Sequence, residues 1–279
     1  MKPGPFDYAA PASLDEMLAL LSDPEREAKV LAGGQSLIPM LNMRLARPDL
    51  LVDITGLPGL DVLAVDPATG ALRIGAAVRQ SAVAADPAVG AGWPLLAAAA
   101  GHIGHPQIRN RGTVCGSLVH HDPAAELPAA AVALDAELVV AGPRGTRTVP
   151  AADFFLGTFA TAVEPDELLI EAVLPAVPAG AGWGFAELAR RHGDFAAVGV
   201  AVLVAEGHAR VVCFGAGFTP VRLPAAEAAA LAGDPAAARQ ALRAGLEPPG
   251  DVHASGEWRR EAAEELLVQA LEDAWERRS

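Results

Sequence analysis

The chain of 279 residues is 52% apolar and 20% charged, which excludes a disordered chain and supplies enough apolar surface for the core of one or two domains. Its 34 acidic against 21 basic side chains leave a net charge of −13, a balance that repels a phosphate backbone; with no basic patch set apart from it, nucleic acid is not expected as a partner. Cys115 and Cys213 each lack a second thiol nearby, so no zinc ribbon or thiolate-held iron–sulfur cluster is expected in this chain.

In chain order, Ser13-Leu-Asp-Glu16 is a capping box, and Leu14, Met17, Leu18 and Leu21 follow at helical spacing until Asp23-Pro24 ends the segment. Residues 29–32 read as a buried strand running into Gly33-Gly34, residues 35–46 as a turn and short helix, and residues 50–54 as a second strand. Residues 61–65 and 71–76, separated by the turn signals Asp66-Pro67 and Thr69-Gly70, predict a hairpin. Ala-rich helices are expected over 81–85 and 95–103. The stretch GHIGHPQIRNRGTVCGSLVHHDPAAELP has little helical periodicity and suits a loop, and a helix over 129–134 follows with Pro128 in its first turn. Residues 137–141 and 147–149 are strand-like. Pro175, Pro178 and the run GAGWG mark a boundary near residue 176. Beyond it, 196–205 and 210–215 form a hairpin about Glu206-Gly207-His208. A final helix from Ser255 onward sets Ala263, Leu267, Ala270, Leu271 and Ala274 on one face.

The first residues lack the apolar stretch of a signal peptide, and every apolar run is shorter than the ~18 residues a membrane span needs. A cytoplasmic, reducing location without a membrane span is the expectation.

Two segments carry chemistry. Leu31-Ala-Gly-Gly-Gln-Ser-Leu37 puts two glycines between a buried strand and a helix, where bare backbone N–H groups can approach a phosphate. Asp53 on the next strand also invites a dinucleotide-binding Rossmann reading, but the G-x-G-x-x-G spacing is absent and hairpins follow where strand–helix units should repeat. A Gly-Gly turn without a ligand is the plain alternative. Arg109-Asn-Arg-Gly-Thr-Val-Cys-Gly-Ser117, with His120, Asp122 and Glu126 downstream, concentrates small residues, hydroxyls and main-chain donors suited to a large polar ligand. His102, His105, His120 and His121 match no standard metal-site spacing, so no metal is expected. No G-x-S-x-G nucleophile elbow occurs, and Cys115 reads as a small residue in a tight turn. No catalytic residue is assigned.

AGGQSLIPMLNMRLARPDLLVDI and RNRGTVCGSLVHHDPAAELPA, followed in order by DFFLGTF, PDELLIEAVLP and LARRHGDFA, resemble the FAD-binding medium subunit of molybdenum hydroxylases, the carbon monoxide dehydrogenase and xanthine dehydrogenase family. The resemblance covers the whole chain. It implies an α+β protein: a two-subdomain FAD-binding fold of the vanillyl-alcohol oxidase type over residues 1–176, divided near 56, then a smaller α+β C-terminal domain over 177–279. It also implies that Leu31, Ala32, Gly33, Gly34, Gln35, Ser36 and Leu37 line the FAD diphosphate. Thr113, Gly116 and Ser117 would serve the diphosphate and ribityl region, with Val119 and His120 alongside. Glu126 would accept ribose hydroxyls, Ile103 would pack near the isoalloxazine, and Leu168 and Leu169 would lie on the adenine side.

Four positions depart from the family pattern. Cys115 stands where a glycine is usual, Val119 and His121 where alanine is common, and Ala186, with Arg190 and Arg191 close by, where some members have a lysine. The function implied is electron relay. A large molybdopterin subunit oxidises substrate, a small subunit passes single electrons through iron–sulfur clusters, and the FAD of this chain hands them on to a small-molecule acceptor. A self-contained flavin reductase or oxidase of the same fold, and a flavin-free assembly subunit, are the competing readings.

Overall fold

The computed structural model describes residues 2–278; residues 1 and 279, where the two expected domains begin and end, lie outside it. Strand β1 (Asp7–Ala9) leads into helix α1 (Leu14–Leu21). Ser13 Oγ accepts the Glu16 N–H at 3.2 Å, and the Glu16 carboxylate accepts the Ala12 N–H at 2.8 Å, so the cap forms as its residue types dictate. Strand β2 (Ala28–Leu31), helix α2 (Leu37–Asn42) and strand β3 (Leu50–Asp53) follow. β3 is central and parallel to both β1 and β2, with Leu50, Leu51 and Val52 buried. Parallel neighbours need a crossover between them, and α1 and α2 supply it.

The predicted hairpin is present as β4 (Leu63–Val65) and β5 (Leu72–Gly75). Helices α3 (Gln80–Ala85), α4 (Pro87–Gly92) and α5 (Pro94–His102) come next. α4 is an addition to the predicted set: Asp86 caps it by accepting the Ala88 and Val89 N–H groups at 2.7 and 3.1 Å. The stretch read as a loop contains two short helices, α6 (Pro106–Arg109) and α7 (Val114–His120). α7 buries only Val114, Cys115 and Leu118 and carries Gly116 inside, so it left no helical period to detect. In α8 (Glu126–Ala133) every residue is buried, Glu126 included.

Strands β6 (Glu137–Gly142) and β7 (Gly145–Pro150), helix α9 (Ala151–Phe154), the small hairpin β8 (Phe155–Gly157) and β9 (Ala160–Thr161), and strand β10 (Leu168–Leu174) complete this half. β10 runs antiparallel between β5 and β6 and thereby joins the two hairpins into one sheet of order β4-β5-β10-β6-β7.

The last part comprises β11 (Gly182–Ala189), β12 (Ala196–Ala205), β13 (His208–Phe214), β14 (Val221–Arg222), α10 (Pro224–Ala232), α11 (Pro235–Gly245) and α12 (Gly256–Arg277). The four strands form an antiparallel sheet in sequence order. Successive side chains of β12 point to opposite faces. Val198, Val200, Val202 and Val204 meet the core under α10–α12, while Ala201 and Leu203, with Phe214 of β13, join the core that contains α5 and α8. Burial on both faces explains the unbroken apolar run of β12. Two glycines of GAGWG serve this packing: a Cβ at Gly184 would lie 1.9 Å from the Ala270 carbonyl oxygen and one at Gly182 1.7 Å from that of Ala274, so only glycine lets β11 lie so close to α12.

Candidate functional site

A cavity of about 500 Å³ opens where the β2–α2 turn, the start of α7, the start of α8 and the segment after β11 converge. That volume is in the range of small-molecule and cofactor sites. Ala32, Gly33, Gly34, Gln35, Ser36 and Leu37 form one wall. The first bond of this turn runs from the Ile38 N–H to the Gly34 carbonyl at 3.1 Å, and Ser36 makes no side-chain cap. The N–H groups of Gly34 through Leu37 therefore have no acceptor among the described residues. Gly33 has a different task. A Cβ there would lie 2.4 Å from the Arg111 carbonyl oxygen and 2.6 Å from Gly112 Cα, so the two cavity loops touch backbone to backbone.

The opposite wall is Thr113, Cys115, Gly116, Ser117, Val119 and His120. Thr113 caps α7 by accepting the Gly116 N–H on Oγ1 at 3.0 Å. The turn is fastened to the start of α3 by the Gln80 N–H to Gly112 carbonyl bond at 2.9 Å and the Val114 N–H to Val78 carbonyl bond at 3.1 Å. Cys115 fits its position. Its backbone stays outside the left-handed region, and its Sγ reaches back toward the Ile74 carbonyl oxygen at 3.6 Å. Burial pushes the thiol up to about 12, which leaves no thiolate at neutral pH. Burial also lowers the His120 pKa, so that ring is uncharged against the cavity.

Glu126, at the first position of α8, is 4% exposed and lines the cavity. Burial, partly opposed by its own backbone N–H and reinforced by Glu187, raises its carboxyl to about 7. It can accept or donate a hydrogen bond near neutrality. Leu168 and Leu169 of β10 and Ile103 after α5 add apolar surface. Beside the leucines, the Glu167 carboxylate is held by Arg147 at 3.0 and 2.6 Å.

Two aromatic side chains stand open at this site, Phe159 at 55% and Phe195 at 65% exposure. Phe159 has a left-handed backbone, φ 55°, fixed by its N–H bond to the His121 carbonyl at 3.1 Å, and its ring lies 4.9 Å from that of His120. His121 is wholly buried behind it. Its Nδ1–H donates to the Gly157 carbonyl at 2.7 Å and its ring lies 4.6 Å from Phe155. Where the resemblance leads one to expect alanine, His121 fastens the β8–β9 hairpin that presents Phe159 to the cavity.

The cavity thus gathers Ala32, Gly33, Gly34, Gln35, Ser36, Leu37, Ile103, Thr113, Gly116, Ser117, Val119, His120, Glu126, Leu168 and Leu169. Leu31 is the exception. It ends β2, accepts the Ile54 N–H at 3.0 Å, and its side chain packs beneath Gly34 outside the cavity wall. Asp53 is occupied elsewhere, accepting from the Tyr8 hydroxyl at 2.7 Å and the Thr55 hydroxyl at 2.6 Å. Ala186 belongs to the core under α10–α12, and Arg190 and Arg191 are exposed. The sequence reading missed Gln80, Phe159, Glu167, Asp194 and Phe195 as lining residues. The only signal for the two aromatics was their place at the ends of DFFLGTF and within LARRHGDFA.

Residues 4–177 match the family described as FAD binding domain in molybdopterin dehydrogenase, and residues 183–274 match the CO dehydrogenase flavoprotein C-terminal domain. The chain is 39% identical to the 6-hydroxypseudooxynicotine dehydrogenase complex subunit alpha of Paenarthrobacter nicotinovorans, over 99% of this chain and 97% of that one. It is 36% identical to the carbon monoxide dehydrogenase medium chain of Hydrogenophaga pseudoflava, over 99% of each. Among solved structures it superposes on a chain of carbon monoxide dehydrogenase from Hydrogenophaga pseudoflava with a TM-score of 0.94 at 39% identity, covering 100% of both. A chain of quinoline 2-oxidoreductase from Pseudomonas putida 86 gives a TM-score of 0.91 at 34% identity, covering 99% of both.

Proposed function

Because the chain belongs to the FAD-binding medium subunits of molybdenum hydroxylases, a family in which molybdenum and iron–sulfur cofactors are carried by other subunits, we propose that the cavity between its two backbone turns is the FAD site and that the protein relays electrons through it. The observation that carries this reading is the run of unbonded N–H groups from Gly34 to Leu37, facing a wall of small residues. A diphosphate is the group such a wall suits, because several aligned N–H dipoles compensate its charge without a basic side chain.

In this reading Gly34 to Leu37 hold the diphosphate through backbone N–H groups, with Ala32 and Gly33 giving it close approach and Leu31 supporting Gly34 from below. Thr113 keeps the α7 turn in shape while Gly116 and Ser117 offer the second set of contacts, and Val119 and His120 close the flank. Glu126 meets ribose or ribityl hydroxyls as donor or acceptor. Ile103 packs against the isoalloxazine, and Leu168 and Leu169 against the adenine. Bound FAD accepts electrons singly and releases them in pairs, the conversion that iron–sulfur donors cannot make alone.

The donors are the clusters of a small iron–sulfur partner, a large molybdopterin subunit oxidises the substrate, and a small-molecule acceptor takes the electrons away. An FAD-binding unit over residues 1–176 and a C-terminal unit over 177–279 belong to the same proposal, as does a cytoplasmic location, which the unpaired, buried Cys115 and Cys213 favour.

The test is reconstitution of the purified chain with FAD, followed by mixing with the reduced iron–sulfur subunit. Bleaching of the visible flavin band by that subunit, with no turnover of organic substrate by the chain alone, is the expected result. Turnover without any partner would install the self-contained flavoenzyme instead, and a chain that stays colourless would install the assembly subunit.

A further inference from the structure

α5 ends at His102, and the next two residues, Ile103 and Gly104, line the cavity. On the far side β11 ends at Ala189, and the segment that follows brings Gly193, Asp194 and Phe195 to the same cavity. The two departures are joined just behind the cavity: His102 Nδ1 lies 3.1 Å from Glu187 Oε1. The Glu187 side chain is 8% exposed, and its Oε2 is buried with no hydrogen-bond partner among the described residues. A buried carboxylate with one free oxygen is costly unless a cation stays on the other. The His102 ring also packs on Phe185, two residues before Glu187 on β11, with 5.0 Å between ring centroids. Further along, the segments touch again, since a Cβ at Gly193 would lie 2.7 Å from the His105 ring.

We propose that His102 and Glu187 form a clasp that positions residues 190–195, and with them Phe195, across the mouth of the cavity. The inference rests on the reading of that cavity as the FAD site. His102 and Glu187 touch no cofactor-facing surface of their own; they are positioning residues that act through the two segments they tie together.

The clasp is sensitive to pH through the groups that face it. His102 bonds Glu187 from β11 and feels the charge of Glu126 from α8, and Glu126 in turn feels the charges of Glu187 and Asp122. The hydrogen bond to Glu187 raises the His102 pKa, so the ring keeps its proton below the ordinary histidine value and loses it as pH rises through the raised one. Glu126 ionises as pH passes about 7 and adds a second carboxylate opposite Glu187. That carboxylate repels Glu187 but favours the protonated His102 ring, so it is loss of the His102 proton that loosens the clasp toward alkaline pH.

Hydrogen exchange of residues 103–105 and 190–195 tests this in the full chain, first without and then with FAD, across neutral pH and corrected for intrinsic exchange. In the wild type, protection of both segments should fall together as pH rises. Glu187→Gln should lower protection at the acidic end by about threefold to tenfold and flatten the profile, and His102→Gln should match it there. The double variant should be no looser than either single one. FAD should leave the variants faster by a similar factor, with a blurred visible band. A wild-type profile kept by Glu187→Gln, or strictly additive effects, would overturn the clasp. Failure of wild-type chain to bind FAD while the pH profile holds would instead overturn the cofactor assignment and leave the clasp standing.

Discussion

The β2–α2 turn and the α7 turn border the same cavity and contain similar residues, yet they handle their backbone donors in opposite ways. In the first, Ser36 makes no cap and the N–H groups of Gly34 to Leu37 find no acceptor among the described residues. In the second, Thr113 takes the Gly116 N–H on its own side chain, and the turn is pinned to Val78 and Gln80. One turn leaves its donors for a ligand; the other uses a donor to hold its shape. The difference teaches that glycine-rich turns are not equivalent anion sites: what counts is which N–H groups the fold leaves without acceptors.

The largest test of this contrast is Gly33→Ala, which places a methyl against the backbone of Arg111 and Gly112 and forces the two turns apart. We expect about 3 kcal/mol of lost stability in urea unfolding and no FAD in the purified protein. Normal stability with bound FAD would show that the contact between the turns is dispensable.

Glu126→Gln comes next. In the wild type the carboxyl is neutral in both folded and unfolded chains below its ordinary value of 4.5. Between 4.5 and about 7 it ionises only on unfolding, so stability falls as pH rises, and above that the penalty is constant. The glutamine variant should equal the wild type at acidic pH and exceed it by about 3 kcal/mol at alkaline pH in FAD-free unfolding curves. Parallel curves for the two proteins would remove Glu126 as a buried titrating group.

Thr113→Val deletes the cap of the self-satisfied turn and should cost about 1 kcal/mol, with weakened but measurable FAD binding. Ser36→Ala is the smallest change. With no capping bond to lose, it should alter stability by less than about 0.5 kcal/mol in the same unfolding assay. A cost as large as that of Thr113→Val would erase the contrast between the turns.

Much of the fold was legible where the signal is local. The Ser13 capping box, the 66–71 turn of the β4–β5 hairpin and the α12 face of Ala263, Leu267, Ala270, Leu271 and Ala274, all wholly buried, follow from periodicity and turn chemistry. β11 was hidden because its glycines read as punctuation, whereas their purpose is close approach to α12. β1 and β10 were likewise not read as strands; β10 becomes one by pairing with β5 and β6, which lie far away in the chain. Of the cavity, the residues in the two glycine-bearing segments could be found, because a bare turn between strand and helix is a local pattern. Phe159 and Phe195 could not, since an aromatic side chain in a sequence reads as core until the structure leaves it open.

By itself, the sequence determined the helices with strong caps or faces, the two turns able to expose backbone donors and the absence of a cluster-forming thiol set, all of which depend on residue type and short-range spacing. Only the tertiary structure decided which turn keeps its N–H groups free, which side of β2 excludes Leu31 from the cavity, and that His121 and the His102–Glu187 pair hold the flanking segments. The physical reason is that hydrogen-bond satisfaction and burial are properties of neighbours brought together by folding, and no local pattern records which neighbours those will be.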